Sequence, residues 1–182
     1  MSADKYFLAI VPPEPLQSQL MSLKEHVREH YGSKGALRSP AHITLHMPFE
    51  WKTEKEDRLI ESLENFTFAP SFMIRLHNFS SFEPRVIFVD VIKNETLCDL
   101  QKELVKHVKK DLHIFNEVNN MRGFHPHITI AFRDLKKDRF YDAITYFKTQ
   151  SFEADLEIKT FHLLKHSPGK WEIYREFSFE KP

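Results

Sequence analysis

One short pattern, His-apolar-Thr-apolar, occurs twice in this chain, as His42-Ile43-Thr44-Leu45 and as His127-Ile128-Thr129-Ile130. In an extended strand successive side chains point to opposite faces, so a histidine and a threonine two positions apart share a face. The isoleucine between them points the other way, where a core belongs. Any fold of this chain must therefore place two strands that are dry behind and polar in front. If the two polar faces border a common cleft, it holds two imidazoles that titrate near neutrality and two hydroxyl donors. That set suits general acid/base chemistry on an anion.

The surroundings of the two copies match. Tyr6-Phe7-Leu8-Ala9-Ile10-Val11 is a strand-length apolar run closed by Pro12-Pro13. Pro15 suits the first turn of a helix whose inner stripe is Leu16, Leu20, Leu23 and Val27, ending before Gly32 and Gly35. The first motif strand, His42 to Phe49, follows. Thr53-Glu54-Lys55-Glu56 has the capping-box spacing and opens a helix with Leu59, Ile60, Leu63 and Phe66 inside. Ser71 to Phe79 returns to strand. The second half repeats this course. Val86 to Val91 is a strand, and Asn94 caps a helix striped by Leu97, Leu100, Leu104 and Val108. After the second motif come a helix bearing Phe140, Ala143, Ile144 and Phe147, then strands near Glu157–Leu164 and Trp171–Phe179 around Ser167-Pro168-Gly169. The expectation is one domain, 1–182, of two pseudo-symmetric lobes, about 1–80 and 81–182, with the final strands exchanged between lobes.

Composition narrows the function. Lys+Arg and Asp+Glu are 26 each, so the chain lacks the basic excess of proteins that wrap long nucleic acid. A small or terminal anionic substrate fits better. The single cysteine, Cys98, excludes an intrachain disulfide and a cysteine metal cluster. No stretch has signal-peptide or membrane-span character, so a cytoplasmic monomer without membrane contact is expected. Gly-rich phosphate loops are absent.

The longer strings Ser39-Pro40-Ala41-His42-Ile43-Thr44-Leu45 and Phe124-His125-Pro126-His127-Ile128-Thr129-Ile130-Ala131 resemble those of the 2H phosphoesterase superfamily, in the branch named for 2′-5′ RNA ligase. The resemblance spans nearly the whole chain. It implies an α+β fold in which antiparallel strands form a concave central groove, with helices outside and both motifs at the centre. It also implies His42 and His127 as the acid/base pair, with Thr44 and Thr129 on the non-bridging phosphate oxygens. The implied activity is hydrolysis of 2′,3′-cyclic phosphate or 2′-5′ linkages at an RNA end or in a nucleotide, with no cofactor and no metal. RNA 2′-5′ ligation and noncatalytic binding of RNA ends are the alternatives. Many relatives carry a basic residue two positions after the last motif residue; here that position is Phe132, and Arg133 follows it.

Other residues could serve such a site. His46 and His125 share the motif faces on a regular strand, and could line the groove or tune the histidines. Phe49 and Trp51 are candidates for stacking a base. Lys165 and His166, near the last turn, could hold flanking phosphates, and Arg85 has a weaker claim. A zinc reading would use His125, His127, His42 and His46, but neither motif offers a carboxylate or thiolate. His26-Val27-Arg28-Glu29-His30 matches an inverted zinc-protease pattern, yet Val27 lies on the inner stripe and should leave both histidines on an exposed flank.

Overall fold

The computed structural model describes residues 2–116 and 123–180. The first apolar run forms β1 (Ala3–Ile10), followed by α1 (Leu16–Tyr31) and a 3-10 turn at Gly35–Arg38. The first motif opens β2 (Ile43–Lys52), which leads to α2 (Glu56–Glu64) and β3 (Phe72–Phe82). Then come β4 (Val86–Val91), α3 (Glu95–Leu112), the second motif strand β5 (His127–Ala131) and α4 (Lys137–Lys148). Three strands close the chain: β6 (Glu153–Ile158), β7 (Thr160–Ser167) and β8 (Lys170–Ser178).

The result is an α+β fold around one eight-stranded sheet in the order β6-β3-β4-β5-β2-β1-β7-β8, with its pairings antiparallel. The motif strands β2 and β5 are central neighbours. The helices bury their stripes on one face, in a core that includes Ile43, Leu45, Ile128 and Ile130. The opposite face carries a smaller cluster of Phe7, Ala9, Val11 and Leu164, with Trp171 against it. No helix among the described residues is long and apolar enough to cross a membrane.

Most helices follow their sequence signals. Asn94 accepts a hydrogen bond from the Leu97 amide at 2.9 Å, as a helix N-cap should. Phe140, Ala143, Ile144 and Phe147 are all buried. Four local readings differ. On α1 the buried positions are Leu16, Leu20, Lys24 and Val27, so a lysine takes the inner place expected for Leu23. The Thr53–Glu56 capping box does not form: Thr53 Oγ1 donates toward Ser2 O and Asp4 Oδ2, and Glu56 is drawn into an ion-pair cluster. The strand expected at Glu157–Leu164 is two strands, β6 and β7, which pair with β3 and β1 in opposite halves of the sheet. His26 is not on an open flank; its ring stacks between those of His30 (4.1 Å) and Tyr146 (4.9 Å).

Candidate active site

Ile43 and Ile128 face each other across the β2–β5 pair, on the helix side. Continued one residue each way, the antiparallel register of that single pair sets His42 opposite Thr129 and Thr44 opposite His127, on the helix-free side. The two histidines are then diagonal neighbours, roughly 7–8 Å apart by strand geometry and somewhat closer at Cβ. A phosphate can sit between them with a hydroxyl on either side. No other described residue occupies the hydroxyl of Thr44 or Thr129.

The two copies are seated alike. His42 Nδ1 lies 2.8 Å from Pro40 O, and His127 Nδ1 lies 2.7 Å from His125 O. A carbonyl only accepts, so each Nδ1 carries a proton and each Nε2 is left to take or give one. Each ring also packs on a phenylalanine from the neighbouring strand. His42 meets Phe7 at 4.9 Å and 50°, and His127 meets Phe88 at 4.8 Å and 51°. Trp171 stands edge-on to Phe7 at 4.8 Å, with His166 edge-on to Trp171. Phe82 stands edge-on to His127 at 5.1 Å. Sequence reading missed these rings because phenylalanine in an apolar strand looks like core.

The electrostatics of the pair differ. Burial pushes His42 down to about 4, and the positive Lys24 and His127 act in the same direction. Burial also lowers His127, and the neighbouring His125 ring adds to this when charged, while the bond to the His125 carbonyl and the Asp90 carboxylate work against it. Asp90 Oδ1 is 3.1 Å from His125 Nε2, which places a carboxylate beside the second motif alone.

A folding consequence follows. The unfolded chain protonates His42 near its ordinary value of 6.5, whereas the folded chain does so only near 4. Stability is therefore full above pH 6.5 and falls as pH drops toward 4, by up to about 3 kcal/mol from this group. Unfolding curves across that range should show the decline, and His42→Asn should flatten part of it. An unchanged slope in the variant would contradict the assignment.

The remaining sequence candidates divide. His125 joins the site through Asp90 and through Phe82, whose ring is 5.4 Å away. His166 reaches the same face through Trp171. His46 does not. Between Ala9↔Thr44 and Leu8↔His46 the register slips by one residue, a bulge that turns His46 to the helix side beside Leu8. There it is 0 % exposed, with Nδ1 on Met47 O and its ring edge-on to Phe49. Phe49 lies opposite Tyr6 and Trp51 opposite Asp4; both pack against the main core, away from the motifs. Lys165 lies opposite Tyr6, and its amine binds Glu56 at 2.6 Å and Asp4 at 3.0 Å. Burial alone would raise Glu56, but Lys165, Tyr174 and Tyr6 hold it down at about 2. That lysine is committed to holding β1, β7 and α2 together. Arg133 lies beyond the end of β5, over the Phe132 ring at 5.3 Å. Among the described residues, no three His, Cys, Asp or Glu side chains gather as they would around a metal ion.

Comparison with known proteins bears on this arrangement. A family model described as the 2′-5′ RNA ligase superfamily matches residues 12–170. The crystal structure of E. coli LigT complexed with 3′-AMP is 19% identical with a TM-score of 0.69, over 99% of this chain and 100% of that one. LigT complexed with ATP is 20% identical with a TM-score of 0.65 at the same coverages. A structure described as a phosphoesterase is 20% identical, with a TM-score of 0.67, over 99% of this chain and 100% of that one. A search of curated protein sequences finds no match.

Proposed function

Because the chain belongs to the 2′-5′ RNA ligase superfamily, we propose that it is a metal-independent phosphodiesterase opening 2′,3′-cyclic phosphates of nucleotides or RNA ends with two histidines. The observation that carries this reading is the paired seating of His42 and His127, each with Nδ1 tied to the carbonyl two residues before it. That seating leaves both Nε2 atoms available on the face where the β2–β5 register also places Thr44 and Thr129. The 3′-AMP and ATP of the LigT structures are nucleotides, the same chemical class as the proposed substrate.

His42 is the base. Its ring is the more strongly held in the neutral form, by burial and by the Lys24 charge. Its Nε2 takes a proton from water as the water oxygen bonds to phosphorus. His127 is the acid, because its ring is less strongly held neutral than that of His42: its bond to the His125 carbonyl and the Asp90 carboxylate both favour the charged form. Its Nε2 proton passes to the ribose oxygen as the P–O bond breaks. The products are a ring-opened phosphate monoester and a histidine pair with its protons exchanged, which solvent restores. Thr44 and Thr129 donate to the non-bridging oxygens as their charge grows. Both proton transfers are met by imidazole, so the chemistry asks for no metal. Ligation is the same displacement with a 5′-hydroxyl in place of water: His42 takes the hydroxyl proton as that oxygen bonds to phosphorus, and His127 protonates the ribose oxygen released from the ring.

A panel of 2′,3′-cyclic, 3′,5′-cyclic and 2′-5′-linked substrates tests the proposal. Turnover should be greatest on the 2′,3′-cyclic class and should survive dialysis against a strong chelator. Binding of RNA ends without turnover of any substrate would replace the enzyme with a binding module. Activity lost to the chelator and restored only by added metal would overturn the metal-free step.

A further inference from the structure

Helix α1 sends two polar side chains inward, toward the backbone that delivers His42. Lys24 is 1 % exposed, and its amine donates to the carbonyls of Ala36 at 2.9 Å and Ser39 at 3.0 Å. Gln17 grips one residue from both sides: its amide nitrogen donates to Ala41 O at 3.1 Å, and its oxygen accepts from Ala41 N at 2.8 Å. The carbonyl between them, Pro40 O, receives the Nδ1 proton of His42. Ser39, Pro40 and Ala41 thus each have their carbonyl taken by a side chain.

The far end of the same turn is also tied. Asp134, just past the second motif strand, accepts from Ser33 Oγ at 2.7 Å, Lys34 N at 2.8 Å and Gly35 N at 2.9 Å. A Cβ on Gly35 would stand 2.7 Å from Asp134 Oδ1, so a side chain there would push this carboxylate off its bonds to the turn.

A buried ammonium costs several kcal/mol in desolvation. Leucine at position 24 would continue the apolar stripe of Leu16, Leu20 and Val27 with no such cost. Packing alone does not explain the lysine. We propose that Lys24 and Gln17 are positioning residues for His42, pinning Ser39–Ala41 so that the Pro40 carbonyl keeps the proton on Nδ1 and leaves Nε2 as the base. This rests on the catalytic role proposed for His42. The Lys24 charge acts on the ring as well. The charged or titratable groups that bear on His42 are Lys24 from α1 and His127 from β5. Burial brings the Lys24 amine down to about 7, so it is charged throughout the acid range in which His42 titrates.

Lys24→Met and Gln17→Leu test the clamp on a 2′,3′-cyclic nucleotide. Each should lower kcat by about 10–10²-fold, the loss a small misplacement brings, with KM nearly unchanged. Lys24→Met should also move the acid limb of kcat/KM to higher pH, because His42 loses a repelling charge; Gln17→Leu should leave that limb in place. Position 17 is only half-buried, so Gln17→Leu carries the kcat test even if Lys24→Met does not fold. Nitrogen chemical shifts of labelled histidine read the clamp independently of activity. They should show His42 as the Nδ1–H tautomer in the wild type and a mixture in Gln17→Leu. A folded variant with wild-type kcat and an unchanged tautomer overturns the inference. Full activity in His42→Ala would instead remove the catalytic reading, while the tautomer measurement still decides the clamp.

Discussion

His42→Ala and His127→Ala are each expected to lower kcat on a 2′,3′-cyclic phosphate by about 10²–10⁴-fold, the usual contribution of a positioned acid or base. The structure explains why the fold should survive. Both rings lie on the helix-free face, and the isoleucines that anchor the strands, Ile43 and Ile128, are untouched. Each variant gives up one hydrogen bond to a carbonyl, a net loss of about 1 kcal/mol, together with the ring's packing on Phe7 or Phe88. In the proposed mechanism each histidine handles one proton transfer of a single displacement, so removing both should cost little more than removing either. Steady-state kinetics with circular dichroism as the folding control makes the measurement. Near-wild-type turnover without His127 would end the acid/base assignment.

Thr44→Val and Thr129→Val are the next largest expected losses. A donor aimed at developing charge is worth about 10²–10³-fold in kcat. Valine keeps the β-branched shape that suits a strand, so packing and register should hold. The loss should fall on kcat more than on KM, because the oxygens gain charge in the transition state. Harmless Thr→Val changes would keep the histidine pair and remove the hydroxyls from the mechanism.

The parts of this architecture that follow a simple period were legible in the sequence. Leu97, Leu100, Leu104 and Val108 sit at helical spacing, and all four are buried. The alternation His42-Ile43-Thr44-Leu45 placed its isoleucine in the core and its polar pair in front. What escaped depends on events without a period. The first slip in β2 turns His46 to the helix side, and a second, before Phe49, restores the alternation that keeps Phe49 and Trp51 on the face of Ile43 and Leu45; only pairing with β1 reveals the slips. Lys24 reads in sequence as a solvated helical charge; its burial depends on carbonyls twelve and fifteen residues away that present themselves only after folding. Lys165 likewise looks free until Glu56 and Asp4 converge on it from other elements. Phe7 and Phe88 read as core because ring packing against a histidine across strands leaves no local signal.

The central claim is that two imidazoles of unlike environment divide the proton transfers between them. The pH dependence of kcat/KM on a 2′,3′-cyclic nucleotide, taken in the presence of a chelator, tests it most directly, since this quantity reports the groups of the free protein. His42 must be neutral, which sets a rising limb near 4, and His127 must be charged, which sets a falling limb below the ordinary 6.5. The account predicts a bell with its maximum between those limits, whose rising limb disappears from the residual activity of His42→Ala. A flat profile from about pH 5 to 9, the span around histidine's usual range, would contradict it.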